Sequence, residues 1–326
     1  MKVATFILAR LMPVWIVLFA LLAVFMPKTF QSWDAATNPA IGFVLFIMGL
    51  TIDRSRLKGF MIRPSRPLLG SFGKWLIASI VSIVLAFLFF GVSEISYGVI
   101  MSGIVPSGTS ANLNSLIGRG DLALSMTMSA IDTFIGPLIT PLLAKLFIGS
   151  SVHVDYLAFL IKIMEIVFLP LTVGMFLQWK FSKFNTSIKP YAPIASAIAL
   201  YILVLGVAGN ASKSLLQHAS ILPILILCVI VQIVLQMGLG YGYAKLLRFD
   251  ESSCRSVLFE VGICNSALAT VLANDAFGPL AGMASMANML CNLTLGSLTA
   301  AILASVPTHR LKVIRGGNKK PTAKSL

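Results

Sequence analysis

Residues 221–243 read ILPILILCVIVQIVLQMGLGYGY. No charged side chain interrupts them, and a helix needs about 20 such residues to cross a bilayer. Blocks of the same kind recur at Leu11–Met26, Leu76–Phe90 and Tyr156–Leu177. A transmembrane barrel would need alternating strands of roughly 10 residues, whereas these apolar runs are continuous. A helix also satisfies its own backbone hydrogen bonds inside hydrocarbon. The expected fold class is an all-α membrane protein.

Composition agrees. Of 326 residues, 57% are hydrophobic and 11% charged, against about 25% charged in a soluble domain. The net charge of +14 does not read as nucleic-acid binding, because the basic residues sit in short connectors and in the tail His309–Leu326, where they mark a cytoplasmic side and anionic headgroups. Cys228, Cys254, Cys264 and Cys291 lie in or beside apolar blocks without metal or disulfide spacing and read as small core residues. The first block lacks a small-residue cleavage site and reads as the first span rather than a signal peptide.

About ten spans are expected, near 11–27, 39–52, 68–90, 95–117, 121–148, 155–178, 190–209, 219–246, 253–275 and 278–304. Arg54, Arg56, Lys58, Arg63 and Arg66, then Lys180, Lys183 and Lys189, then Lys245 and Arg248, all fall on the side of the tail. Gly91–Glu94 and Asn274–Gly278, on the opposite side, hold no Lys or Arg. Both termini are therefore expected in the cytoplasm. Five spans per half predict two inverted repeats, residues 1–150 and 151–306, followed by the basic tail 307–326. Gly120–Asp121–Leu122–Ala123 and Gly278–Pro279–Leu280–Ala281 open the fifth and tenth spans and echo each other.

Two spans are broken. The fourth contains Pro106–Ser107–Gly108–Thr109–Ser110–Ala111–Asn112, and the ninth Glu260–Val261–Gly262–Ile263–Cys264–Asn265–Ser266. Pro removes an amide donor and Gly loosens the chain. Freed backbone groups at mid-membrane are tolerated only inside protein or along a wet cavity, and half-helix ends there point amides at anions and carbonyls at cations. Glu260 is the key residue, since an ionised side chain at the bilayer centre costs at least ~2.5 kcal/mol and calls for a cation, a proton or a basic side chain. Two kinks that serve packing alone are the plainer alternative; the Asn, hydroxyl and carboxylate groups at the breaks argue against it.

Taken together, Pro106–Asn112, Gly120–Asp–Leu–Ala–Leu–Ser125, Pro137–Leu–Ile–Thr–Pro141 and Glu260–Val–Gly–Ile–Cys–Asn265 resemble the bile acid:sodium symporter family, its bacterial members above all, over nearly the whole chain. The resemblance implies ten helices in a panel and a core domain, with helices four and nine crossing at their breaks. It implies alternating-access, sodium-coupled uptake of a small organic anion of the bile-acid, pantoate or keto-acid class, and a multi-pass protein of the bacterial cytoplasmic membrane. One sodium site carries over onto Asn112, Ser125, Ser129 and Glu260, with Ala111 where the family has a serine; Asp132, three residues after Ser129 on the same helix face, is the candidate replacement or else a buried acid bonded to a hydroxyl. A second site carries over onto Glu260 and the carbonyls of Val261 and Ile263. Its glutamine position holds Cys264, a poor ligand for a hard cation, and helix three offers Lys74 instead of a glutamine. Lys74 stands either in place of the second sodium, pairing with Glu260 and opening a proton-coupled or uncoupled alternative, or at the membrane surface with its ammonium in the headgroups. Substrate candidates are Thr109, Ser110, Asn112 and Asn265, with Asn292 and Thr294 from span ten, the last two equally suited to helix–helix hydrogen bonds.

Lys162 and Glu165 are spaced to pair on span six. Asn288 and Met283–Met289 read as packing. An intramembrane enzyme is the rival class, but His153, His218 and His309 all lie in connectors or the tail, which leaves no histidine for a metal or a Ser–His pair. No cofactor other than sodium ions is expected.

Overall fold

The computed structural model describes residues 12–51, 64–149, 156–181, 191–217 and 219–306. Arg54, Arg56, Lys58, Arg63, Lys183, Lys189, the three histidines and the tail 307–326 lie outside the described residues, and so does the junction at 150–151.

Among the described residues the chain is helical throughout, with a single isolated β-bridge. Helix α1 is Met12–Phe25. A turn at Pro27–Phe30 and a 3-10 segment at Gln31–Ala36 lead into α2, Thr37–Thr51. Then come α3 (Ser65–Phe90), the short α4 (Glu94–Gly103) and α5 (Thr109–Ile117), and α6 (Leu122–Phe147). Helix α7 (Tyr156–Ile163) passes through a π turn, Met164–Phe168, into α8 (Leu169–Lys180). The wide turn precedes Pro170, whose missing amide cannot serve the carbonyl four residues back. Helices α9 (Ala192–Gln217) and α10 (Leu222–Leu246) are followed by another short pair, α11 (Glu251–Gly262) and α12 (Ser266–Phe277), and by α13 (Pro279–Ser305).

Among the described residues, seven helices are long and apolar enough to cross a membrane: Pro27–Thr51, Ser65–Phe90, Leu122–Phe147, Leu157–Lys180, Ala192–Lys213, Ala219–Leu246 and Pro279–Ser305. The other three segments expected to span are shorter, α1 because it is brief and the broken pairs because each is split into two half-helices. Burial is arranged as lipid requires. On α3, Phe72, Leu76, Ile80, Val84 and Leu88 stand exposed at four-residue spacing, while Ser71, Lys74, Ser79 and Ser82 are buried. A water-soluble helix would reverse that pattern.

Side-chain caps set the starts of three of the half-helices and of α6. Ser93 accepts the Ser96 amide at α4, Asp121 the Leu124 amide at α6, Asp250 the Ser253 amide at α11 and Asn265 the Leu268 amide at α12. The two echoed motifs both open long helices. Asp121 caps α6, and Gly278 precedes Pro279 of α13 with φ of +98°, a left-handed conformation that glycine adopts without strain. Gly98 lets α4 press on α13, since a Cβ there would collide with the Ala281 carbonyl, and Ser285 Oγ donates to Gly98 O at 2.8 Å.

Helices α1, α2, α8 and α9 pack on one another, and α3 to α6 pack with α10 to α13. Polar contacts join the two groups at one end. Lys162 Nζ of α7 lies 2.8 Å from Asp275 Oδ2 of α12, and Asn274 Nδ2 donates to Asp34 Oδ1 at 3.1 Å. The pairing of Lys162 with Glu165 that the sequence spacing offers is thus replaced by an ion pair with Asp275. The π turn alters the helical register between those two positions, and a tertiary carboxylate supplies the partner.

Arg255 ties the broken segment to its surroundings. Its fully buried guanidinium donates to Glu251 Oε1 at 3.0 Å, to Gly118 O at 3.0 Å, to Leu303 O at 2.9 Å and to Val306 O at 3.1 Å. Removing one member of a buried charged network costs roughly 3–5 kcal/mol. Arg255→Met is therefore expected to lower the thermal unfolding midpoint of purified protein in detergent by several degrees. An unchanged midpoint would remove Arg255 from the supports of the fold.

Candidate functional site

The site begins with the two chain breaks. Pro106 cannot donate an amide, and the chain from Ile104 to Gly108 leaves helical conformation. Gly262 and Ile263 end α11 in the same way. The two extended pieces lie antiparallel with Ser107 opposite Cys264. The Gly108 amide donates to Ile263 O at 3.0 Å, and the Asn265 amide to Pro106 O at 2.8 Å. Backbone groups freed by the breaks thus satisfy one another, as a low-dielectric setting demands. Gly108 is required by this approach, because a Cβ there would lie 2.6 Å from Cys264 O.

Four helix ends converge on the bridge. The amide end of α12 is capped by Asn265 itself. The amide end of α5 has no side-chain cap, and Thr109 there is exposed with Ser110 half-buried. The first turn of α5 therefore presents partial positive charge to whatever fills the adjoining space.

Around Glu260, in the last turn of α11, oxygen atoms gather. Ser125 Oγ lies 2.5 Å from Glu260 Oε1 and 3.0 Å from Asn112 Oδ1. Ser129 Oγ lies 3.0 Å from Oε1 and 2.9 Å from Oε2 of Glu260, and Asn112 Nδ2 donates to Ser129 Oγ at 3.0 Å. Ser125 and Ser129 are one helical turn apart, which places both hydroxyls on one face of α6. Each hydroxyl has one hydrogen and two acceptors within reach. The cluster therefore holds more acceptor capacity than hydrogens, and its all-oxygen donor set is the chemistry that hard monovalent cations select.

Asp132 is one turn further along and meets different partners. Ser107 Oγ reaches Asp132 Oδ2 at 2.7 Å, Trp75 Nε1 donates to Oδ1 at 3.0 Å, and Lys74 Nζ lies 4.0 Å from Oδ2. Lys74 is 1% exposed, donates to Val105 O at 2.5 Å and sits 3.5 Å from the centroid of the Trp75 ring. Its ion-pair partner is Asp132 rather than Glu260, and it does not extend to the surface. Ser107 Oγ also lies 3.0 Å from Glu260 O, so it stands between the two carboxylate-bearing elements.

The remaining candidates divide. Asn112 joins the Glu260 cluster. Ile263 O is taken by the Gly108 amide, and Val261 packs with Leu124 and Met128. Asn292 is buried and donates to Cys264 O at 3.1 Å and Ser266 Oγ at 3.0 Å, while its Oδ1 has no hydrogen-bond partner among the described residues. Thr294 is exposed, with its hydroxyl bonded back to Leu290 O.

Sequence reasoning passed over several participants. Ser107 bridges Asp132 and the Glu260 carbonyl. Asn288 accepts from Ser266 at 2.9 Å and donates to Gln232 at 3.3 Å, and Gln232 donates to Ser82 at 2.7 Å. Asn288 is therefore part of a polar chain behind the second break and not only packing. The available signals were a hydroxyl directly after Pro106 and two glutamines, Gln232 and Gln236, four residues apart in an uncharged run.

Ser107→Ala removes a donor from buried Asp132. The expected cost is about 1–3 kcal/mol, seen as a lower unfolding midpoint of purified protein with Ser107→Thr keeping most of the stability. Equal midpoints for the alanine variant and the parent would show that Ser107 is dispensable.

Residues 38–218 match the Sodium Bile acid symporter family. The chain is 29% identical over 310 residues to the uncharacterized sodium-dependent transporter YocS of Bacillus subtilis (strain 168), covering 94% of this chain and 93% of that protein. It is 29% identical over 297 residues to the probable chloroplastic sodium/metabolite cotransporter BASS1 of Arabidopsis thaliana, covering 89% and 72%. It is 29% identical over 299 residues to the corresponding BASS2 of Oryza sativa subsp. japonica, covering 90% and 70%.

Proposed function

The chain belongs to the Sodium Bile acid symporter family, a family of transporters rather than enzymes, and we propose that it moves a small organic anion across a membrane together with sodium by alternating access. The observation that carries this reading is the oxygen cluster at the chain breaks. Asn112, Ser125, Ser129 and Glu260 supply hard oxygens around one buried carboxylate, with Glu260 within 3.0 Å of both serine hydroxyls. A sodium ion there would neutralise Glu260 where water does not reach it, and would leave the amide end of α5 to an anion.

In this reading Thr109, Ser110, Asn112 and Asn265 face the substrate, and Asn292 offers its unpartnered Oδ1. Thr294 would contribute only from an exposed position. The carbonyls of Val261 and Ile263 stay with the backbone of the break. A compact carboxylate of the pantoate or keto-acid kind suits a pocket made of short polar side chains better than a steroid conjugate does.

Residues 1–150 and 151–306 form the two inverted repeats of this proposal. In each, two half-helices precede one long helix: α4, α5, α6 and α11, α12, α13. Helices α1, α2 and α7 to α9 then form a panel against which the remaining helices rock, in a bacterial cytoplasmic membrane with both termini inside. The rival reading, proton-coupled or uncoupled carriage with Lys74 in place of a sodium, draws on the burial of that ammonium. It differs in responding to pH rather than to sodium.

Purified protein tested by thermal shift against a panel of small monocarboxylates, in sodium and in choline chloride, separates the readings. Sodium-linked stabilisation by at least one acid is expected. Glu260→Gln is expected to weaken the sodium effect by at least roughly tenfold, equivalent to ~1.4 kcal/mol, and Ser129→Ala to weaken it severalfold. Stabilisation that follows pH and ignores sodium would instead select proton coupling.

A further inference from the structure

We infer that Lys74 is a tethered cation whose pairing with Asp132 leaves the crossover with one net negative charge, so that the carrier binds a single sodium ion per cycle. This inference rests on the Glu260 cluster being the sodium site.

Charge is the first argument. Among the described residues, the buried side chains that carry charge are Lys74, Asp132, Arg255 and Glu260. Arg255 is matched by Glu251, four residues away at 3.0 Å, in the first turn of α11. Lys74 and Asp132 lie 4.0 Å apart and cancel. Glu260 alone has no basic partner; its carboxylate meets only hydroxyl groups. A buried uncompensated charge is strongly unfavourable, and one monovalent cation balances it. A second would leave the site positive by one.

Position is the second argument. Just past the end of α4, Val105 O projects a carbonyl that the break deprives of a helical amide, and such carbonyl ends favour a cation. Lys74 Nζ fills that role at 2.5 Å, with the Trp75 ring 3.5 Å from the ammonium. Asp132 is in turn fully engaged by Ser107, Trp75 and Lys74. The ammonium is held by a carbonyl, a carboxylate and an aromatic face, which is the surrounding a free ion would need. Lys74 is thus a positioning and specificity-determining residue: it supplies from the protein a charge that would otherwise come from solution. With a monovalent anion as cargo, the loaded site carries the same single negative charge as the empty one, so sodium and anion together move no net charge and uptake is expected to be indifferent to membrane potential.

The test is sodium binding to purified full-length protein by titration calorimetry and by sodium-dependent thermal shift, with choline chloride as control. The parent is expected to bind one sodium with a Hill coefficient near one. Lys74→Gln strips Asp132 of its counter-charge and is expected to bind two. Lys74→Gln combined with Asp132→Asn removes both charges, avoids a stranded carboxylate should the single variant fold poorly, and is expected to bind one sodium with affinity within about threefold of the parent. Two ions bound by the parent, one by Lys74→Gln with unchanged affinity, or none by the double variant would each overturn the inference. Absence of sodium binding in the parent, with no effect of Glu260→Gln, would instead overturn the sodium site on which it depends.

Discussion

The structure is organised around one carboxylate that cannot be left alone. Glu260 is fully buried near the middle of a helical membrane protein, where an ionised side chain is costly. Everything near it is explicable as an answer to that cost. Ser125 and Ser129 bring hydroxyls from α6, and Asn112 brings an amide from α5. The other buried acid, Asp132, receives a different answer, because Lys74, Trp75 and Ser107 complete its surroundings within the protein. Two carboxylates one layer apart are therefore unequal: one is enclosed by charged and hydrogen-bonding partners, and the other is the one proposed to take an ion.

The chain breaks make this arrangement possible. Unbroken helices at positions four and nine would expose only side chains at that depth, since their backbone groups would be spent within the helix. Interrupting both helices at the same level lets Ser107 and Cys264 pair across the gap while the adjacent ends remain unspent. Val105 O then has a valence for Lys74, and the amides of α5 remain without a side-chain cap. One interrupted helix could not do this, because its freed groups would lack partners; the second interruption supplies them.

Much of this was legible in the sequence, for reasons that are local. Continuous apolar runs define spans, Pro106 and Gly262 mark breaks, and an acidic residue inside an apolar run is conspicuous. Ser125 and Ser129 announce a shared helix face by their spacing. What was not legible depends on register between helices distant in the chain. Trp75 and Asp132 are separated by 57 positions, with Lys74 one residue further off, and nothing local says that α3 and α6 meet at that height. From position alone Lys74 suits either the headgroups or the interior, and tertiary packing decides. Lys162 and Glu165 show the reverse failure. Their spacing is right for a pair, but a π turn and the nearness of Asp275 redirect the lysine.

The distribution of these groups over the helices bears on how the proposed cycle stays balanced. Lys74 is on α3, Asn112 on α5, Ser125, Ser129 and Asp132 on α6, and Glu260 on α11, all within one of the two packed groups. The ion pair Lys162–Asp275 and the bond from Asn274 to Asp34 join that group to α7 and to the segment before α2 at one end. A rocking motion between the groups would break the second set of contacts and spare the first. The electrostatic balance at Glu260 would then be carried through the membrane unchanged, while polar contacts at the end that opens exchange with water at small net cost, as partly exposed ion pairs do. Had the counter-charge for Asp132 come from α7 or α9, each opening would separate a buried pair, and the barrier to transport would include that desolvated charge. Confining the buried charges to one packed group of helices removes that term.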